Sequence, residues 1–292
     1  MSPINRQNLW LEERPVLTPG WGFSMAIDKV LHHEQSKFQD IKVYETPLFG
    51  RVLTLDGVIQ LTEKDEAHYH EMMIHVPCMA HPKPERVLII GGGDGGAARE
   101  ALKYDSVKEV HLCDLDERVI EVSKEFLPFT ACAFNDPRMT VITKDGGVYI
   151  NDHEGYFDVI AVDSTDPEEA SSVLFEEPFF ASMKRALRPG GIIVSQAEHY
   201  HFEKEWDYVK RIFTFSKKLF KNRGYYTTQV PTYPCGMISF TFLSDEAQPK
   251  MGANLGSGGK RQPPEGLQYY TLDIHKAAFA IPARAERDLA AI

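Results

Sequence analysis

Between Val87 and Glu100 an apolar run enters a cluster of glycines and opens onto a helix-forming sequence, the pattern of strand, tight turn and helix. Gly91, Gly93 and Gly96 carry the G-x-G-x-x-G spacing. Such a turn lets a nucleotide approach main-chain N–H groups at a helix N-terminus. Asp94 narrows the chemistry. A carboxylate there would repel a pyrophosphate, and equally the carboxylate of a methionine moiety. It suits a nucleoside ligand whose far end is cationic; the alternative is that Asp94 only caps the helix.

Further carboxylates fall at the ends of apolar runs. Glu109 to Asp114 reads as a second strand ending in Asp114, with Asp116 just beyond, and such an acid commonly accepts ribose hydroxyls. Met139 to Thr143 reads as a third, followed by Asp145 and Gly146, and Phe157 to Val162 as a fourth, followed by Asp163 and Asp166. Ligands of open α/β sheets bind outside the carboxyl ends of the strands, so Asp94, Asp114, Asp145, Asp163 and Asp166 are expected on one rim. Each alone is an ordinary turn residue. Unpaired carboxylates crowded together are destabilising unless a cation is to sit among them.

The elements that must position these acids follow from the patterning. Trp21 to about Thr62 is rich in aromatic and β-branched residues, with Asp56-Gly57 as a hairpin turn, and reads as a small antiparallel β region. Glu63 to about Ala80 turns helical, Pro82 and Pro84 punctuate a linker, and from Arg86 the chain alternates βαβα. That divides it into an N-terminal β-strand domain plus helix, 1–80, and an α/β catalytic domain, 81–292. A fifth strand is expected from Gly191 to Ser195, after a helix ending at the Arg188-Pro-Gly-Gly turn, then a helix from about Glu203 to Lys221 and strands near Tyr225 to Val230 and Met237 to Leu243. Residues 245–266, rich in Gly, Pro and polar types, read as a mobile surface loop. His68 and His70 lie two apart on the first helix and point in different directions, which argues against a metal site.

Composition bounds the partners. With 32 Lys and Arg against 42 Asp and Glu, a formal charge of −10 argues against nucleic acid and anionic membrane and permits a cationic small partner. Cys78, Cys113, Cys132 and Cys235 form no C-x-x-C pair, so neither a zinc knuckle nor a disulfide framework is indicated, and a reducing cytoplasm fits best. No apolar stretch approaches the roughly 20 residues that span a bilayer, and no basic leader precedes one, so a soluble, unexported protein is expected.

Several motifs in order then resemble the spermidine synthase, or polyamine aminopropyltransferase, family: Leu55-Asp-Gly-Val-Ile-Gln60, Tyr69-His-Glu-Met72, Gly91-Gly-Gly-Asp-Gly-Gly96, Asp163-Ser-Thr-Asp-Pro167, Pro231-Thr-Tyr233, and Tyr269-Tyr270 followed by His275-Lys-Ala-Ala-Phe-Ala280. The resemblance runs from about Trp21 to Pro282. It implies a β-stranded N-terminal domain before a Rossmann-like, methyltransferase-type α/β domain. It also implies transfer of an aminopropyl group from decarboxylated S-adenosylmethionine to a diamine, most simply putrescine, by a cytoplasmic homodimer or homotetramer with neither metal nor cofactor.

By the same resemblance Gln39 and Asp94 hold the aminopropyl end of the co-substrate, Asp114 its ribose and Asp145 with Gly146 its adenine. Gln60, Tyr69, His70, Asp94, Asp163, Asp166 and Tyr233 surround the amine, with Asp163 catalytic. From spacing alone, Tyr233 packs in a proline-rich turn. Two departures stand out: Asp114 occupies a position usually held by Glu, and Glu168-Glu-Ala170 one where bacterial relatives commonly carry Gly-Pro. The second bears on the acceptor, since two added acids could favour a longer or more charged amine, such as cadaverine, agmatine or spermidine. An S-adenosylmethionine methyltransferase would share the sheet and the ribose acid but not Asp94. A non-catalytic polyamine binder would not need Asp163, and a nicotinamide dehydrogenase leaves Asp94, Asp145, Asp163 and Asp166 unexplained.

Overall fold

The computed structural model describes residues 9–14, 20–164, 176–250 and 261–292. Asp166, Glu168, Glu169 and Ala170 lie outside the described residues, as do residues 251–260 of the 245–266 segment.

The N-terminal part is a four-stranded antiparallel meander, β3 (Lys29–Gln35), β4 (Asp40–Thr46), β5 (Gly50–Leu55) and β6 (Val58–Thr62), preceded by a two-stranded ribbon of β1 (Leu9–Glu13) and β2 (Phe23–Ile27). Asp56 and Gly57 both take positive φ, 51° and 83°, as a two-residue hairpin between right-twisted strands requires. The meander buries both faces. Ile41, Val43, Leu53 and Leu61 pack with Val119, Val122 and Leu127 of the larger unit, while Tyr44, Val52 and Ile59 pack with Leu11, Met25 and Ile27 of the ribbon. The ribbon's first strand is not apparent in the sequence, because its five residues, Leu9–Glu13, alternate over too short a span.

Helix α1 (Glu66–Ala80) follows, and of its residues only His68 is not buried. Met72, Met73, Val76 and Met79 join Val87, Ile89, Ala97, Ala98, Phe240 and Phe242 in the main core, so α1 is an inner layer over the large sheet. That sheet is built from β7 (Arg86–Gly91), β8 (Glu109–Asp114), β9 (Met139–Thr143), β10 (Phe157–Asp163), β11 (Leu187–Ala197), β12 (Asn222–Gln229) and β13 (Met237–Ser244). Its order is β12-β13-β11-β10-β7-β8-β9, parallel except that β13 runs antiparallel to both neighbours. The near-continuous Val, Leu and Ile runs of β7 and β10 are what a strand covered on both faces demands. Crossover helices include α2 (Gly96–Leu102), α3 (Glu117–Phe126), α4 (Pro128–Ala131), α5 (Gly146–Asn151), α6 (Glu177–Ala186) and α7 (Glu203–Leu219), with α8 (Leu272–Ala278) and α9 (Ala283–Ala290) closing the chain.

The expected turn at Arg188-Pro-Gly-Gly is absorbed into β11. Leu187 pairs with Phe157, and pairing resumes at Ile192 with Val159 after a register shift that Gly190, at φ 81°, accommodates. Strand order reverses beside β7: the chain proceeds to β8 on one side and β10 lies on the other. The crevice at such a switch point, outside the strands' carboxyl ends, is where this architecture binds ligands. Among the described residues no helix is long and apolar enough to cross a membrane.

Candidate active site

The switch point is built from glycines that bring backbone against backbone. Gly91 (φ 82°) pairs in register with Asp163, and Gly92 N–H donates to the Asp163 carbonyl at 3.0 Å. A Cβ on Gly91 would collide with that carbonyl. Gly93 N–H donates to Asp114 Oδ2 at 2.9 Å, fixing the acid at the end of β8 to the turn. Gly96 opens α2 against the ring of His70, where any Cβ would overlap the imidazole.

Asp163 stands at the end of β10. Its Oδ1 accepts from Tyr69 Oη at 2.6 Å, while its Oδ2 is shut from solvent with no hydrogen bond among the described residues. Burial, and then the charge of Asp94, push its carboxyl up to about 6, against the opposing pull of His70 and the Tyr69 hydroxyl. Asp94 Oδ1 accepts from Gly96 N–H at 2.8 Å and lies 3.3 Å from His70 Nε2. Asp94 is therefore both a cap of the turn and an acid facing the cleft. The rim is not bare as the sequence suggested, since this acid already meets an imidazole. The other ring nitrogen, Nδ1, lies 2.6 Å from Glu66 Oε2. Burial alone would lower the His70 value, yet Asp94 and Glu66 outweigh it and hold the ring well above the ordinary histidine range.

Asp114 faces the turn from β8. Burial raises its carboxyl to about 6 although the N–H groups of Asp116 and Gly93 both donate to it. Asp145 caps α5, accepting from Gly147 N–H at 2.7 Å and Val148 N–H at 3.2 Å, and is exposed, with Gly146 packed over Ile90. Gln39 reaches the same edge from the β3–β4 turn, where its Nε2 donates to Asp116 Oδ2 at 3.0 Å; Ser36 Oγ donates to the same oxygen at 2.6 Å. A hydrogen-bonded clasp thus joins the small sheet to the loop after β8.

On the other side of Asp163 lie the aromatic residues. The Tyr69 and Tyr233 rings are 6.0 Å apart, and Tyr233 Oη donates to the Gln60 carbonyl, which places Tyr233 beside the cleft although spacing favoured plain packing. Burial raises both hydroxyls well above their usual value, Asp163 adding to each, so both are donors at neutral pH. The Gln60 side-chain amide turns back to the Val58 carbonyl at 3.2 Å.

Sequence reasoning missed three residues here. Gln196 Oε1 lies 2.7 Å from Tyr69 Oη, so the one hydroxyl is shared between this amide oxygen and Asp163 Oδ1 at 2.6 Å. Glu13, buried on β1, adds its charge against Tyr233 and accepts from Ile59 N–H at 3.3 Å. Glu66 carried a usable signal, four residues before His70 on one helix face; Gln196 and Glu13 carried none.

Donor atoms of His70, Asp94 and Asp163 lie within 4.8 Å of one another, close enough to invite a metal ion. The chemistry of the set speaks against it: an imidazole whose two nitrogens both face carboxylates is held as imidazolium and offers no lone pair.

This sheet order, the glycine turn at its switch point and the strand-end acids define a nucleoside-dependent transferase built on the Rossmann-like, methyltransferase-type architecture. The chain belongs to the spermine/spermidine synthase family, enzymes of aminopropyl transfer in polyamine biosynthesis: the spermine/spermidine synthase domain matches residues 66–252 and the spermidine synthase tetramerisation domain residues 9–63. It is 46% identical to a polyamine aminopropyltransferase of Leptospira biflexa, covering 95% of this chain and 97% of that one. It is 42% identical to a spermidine synthase of Dictyostelium discoideum, covering 97% and 98%. A crystal structure of spermidine synthase in complex with the transition state analogue AdoDATO superposes with a TM-score of 0.92 at 37% identity, over 98% of this chain and 97% of that one. Spermidine synthase from Thermotoga maritima gives 0.89 at 36%, over 98% and 96%. The methyltransferase, dehydrogenase and non-catalytic alternatives fall with this result.

Proposed function

We propose that the enzyme moves the aminopropyl group of decarboxylated S-adenosylmethionine to putrescine, releasing spermidine and methylthioadenosine, with Asp163 as proton acceptor. What carries the reading is the Asp163 carboxylate: its Oδ2 is buried and free of partners among the described residues, it sits beside Asp94 at the switch point, and its carboxyl is raised to about 6. An alkylamine with a pKa near 10 arrives protonated and cannot attack until it sheds a proton. Asp163 takes up that proton. The amine nitrogen then bonds to the methylene beside the sulfonium while the C–S bond breaks, its electron pair leaving on sulfur as a neutral thioether. The remaining rate comes from alignment for in-line displacement.

In this reading Asp94 meets the ammonium of the aminopropyl arm, where the undecarboxylated co-substrate would bring a repelled carboxylate. Gln39 supports the same arm from the clasp on Asp116, Asp114 takes the ribose hydroxyls, and Asp145 with Gly146 takes the adenine. Gln60, Tyr69, His70, Asp166 and Tyr233 line the amine side, with Tyr69 holding Asp163 in place. No metal or further cofactor takes part, so a chelator leaves turnover unchanged.

Two broader assignments go with it. The match of residues 9–63 to a tetramerisation domain, with Leu9, Trp10 and Leu48 at 63%, 50% and 70% exposure on that unit, supports a homodimer or homotetramer, which light scattering measures. The four free thiols suit a reducing cytoplasm.

Methylthioadenosine release measured across putrescine, cadaverine, agmatine and spermidine tests the function. Putrescine is expected to be preferred, and no release with any amine would sink the reading. Glu168 and Glu169 favour a second outcome, a longer or more highly charged acceptor; a putrescine preference unchanged in Glu168→Gly/Glu169→Gly removes it.

A further inference from the structure

A row of alternating charges runs beneath the cleft. Arg99 forks onto Glu66, with Nη1 2.8 Å from Oε1 and Nη2 2.9 Å from Oε2; Glu66 Oε2 also lies 2.6 Å from His70 Nδ1, and His70 Nε2 lies 3.3 Å from Asp94 Oδ1. The Glu66 and His70 side chains are 4% and 3% exposed. Buried ion pairs are a poor way to stabilise a core, because desolvation offsets most of the attraction. With an acid at each ring nitrogen, the one protonation state that donates to both is the imidazolium. Arg99 is fixed in turn by the Phe129 carbonyl at 2.9 Å and by Glu100. The groups facing the ring are Glu66 and Tyr69 on its own helix, Asp94 on the glycine turn and Asp163 on β10, with Arg99 of α2 behind Glu66.

We propose that Glu66 is a positioning residue for aminopropyl transfer: acting through His70, it keeps a fixed positive charge against Asp94 and beside Asp163 and so sets how readily Asp163 carries negative charge. It touches neither substrate. Both Asp94 contacts fall on Oδ1, so the cation below steadies that carboxylate and leaves Oδ2 for the ligand. The same cation draws the Asp163 carboxyl downward, against burial and Asp94. Without it Asp163 would stay protonated to higher pH and accept a proton less readily. The proposal rests on Asp163 as proton acceptor, so native turnover is confirmed first: failure to release methylthioadenosine would count against that reading, not this one.

The test is the pH dependence of kcat in Glu66→Gln and Glu66→Asp, with imidazole ¹⁵N spectra of the native enzyme, His70 being assigned by its loss in His70→Gln. Glu66→Gln should lower kcat about fivefold near pH 6 yet leave it within about twofold near pH 9, because only the acid limb moves. Glu66→Asp, which keeps the charge, should retain the native profile. The native spectrum should show both His70 nitrogens protonated at about pH 8, well above the ordinary histidine value. A uniform loss of kcat at every pH, as from a packing defect, overturns the proposal, and so does a neutral His70 at pH 7. Should Glu66→Gln fail to fold, the native spectrum decides alone.

Discussion

Tyr69 on α1 and Asp163 at the end of β10 meet at 2.6 Å, hydroxyl to Oδ1, although 94 residues separate them. The contact turns the acid so that its other oxygen, Oδ2, is the one without a partner among the described residues. Helix and strand therefore aim the acid together, and each side of the contact can be tested.

Tyr69→Phe removes the donor that pulls the Asp163 carboxyl down and leaves the Gln196 amide without its partner. We expect kcat to fall about 10- to 100-fold at neutral pH, up to the low end of what a general base contributes because the acid itself remains, with partial recovery at alkaline pH. Steady-state rates from about pH 6 to pH 9 measure this; a wild-type profile would show the hydroxyl to be idle.

Asp163→Asn should abolish turnover and at the same time raise thermal stability. Burial and Asp94 hold the folded carboxyl at about 6, above its ordinary 3.8. A carboxyl raised on folding stabilises the protein below its unfolded value, and that contribution is lost as pH rises through the folded value. Between about pH 4 and 6 the ionising Asp163 thus costs the native state on the order of 3 kcal/mol. Asn keeps an acceptor for Tyr69 without the charge, so melting at pH 7.5 should rise by about 3–5 °C. An unchanged or lower melting temperature, with activity gone, would mean that the charge is not strained.

Asp94→Asn should erode discrimination between the two forms of the co-substrate. With the acid gone, the His70 imidazolium keeps Glu66 but loses its opposing charge at the cleft, and it will tolerate the carboxylate of S-adenosylmethionine. Calorimetry with both forms should show their affinity ratio falling by about 10- to 100-fold, or roughly 1.4–2.8 kcal/mol. An unaltered ratio would place the selectivity elsewhere.

Much of this site can be read from the chain before folding, because its acids sit where a parallel sheet must end. Asp94, Asp114 and Asp163 each follow an apolar run that forms a covered strand, Asp145 follows the half-exposed edge strand β9, and the glycines of 91–96 mark the turn after β7. The type of turn at Asp56-Gly57 is equally local. What resisted reading is what depends on distant partners. Gln196 matters only because β11 and α1 present it to Tyr69, Glu13 only because a five-residue ribbon strand folds over β6, and the state of Asp94 only because His70 comes up beneath it. Tyr233 looked like turn packing because nothing local says that its ring lies 6.0 Å from Tyr69.

Gly91→Ala should be among the most damaging single-atom changes. The residue sits at φ 82°, and an added Cβ would drive into the Asp163 carbonyl that Gly92 N–H binds. Strain of about 1–3 kcal/mol from the backbone alone, plus the clash between β7 and β10, predicts a large fall in melting temperature and loss of methylthioadenosine release. Gly57→Ala, at a similar φ of 83° but with open space around it, should cost only the first part. Comparing the two melts separates conformational strain from collision.

One acid on α1 has a consequence for how the protein is made. Glu71, fully buried, accepts the main-chain N–H groups of Gln268, Tyr269 and Tyr270 at 2.7, 2.8 and 2.7 Å. It shares its helix with Tyr69 and His70, yet these partners are close to 200 positions downstream. During synthesis the helix that carries Tyr69 cannot complete these three hydrogen bonds until residues 268–270 have been made, so a chain cut before residue 268 leaves the buried Glu71 carboxylate without them.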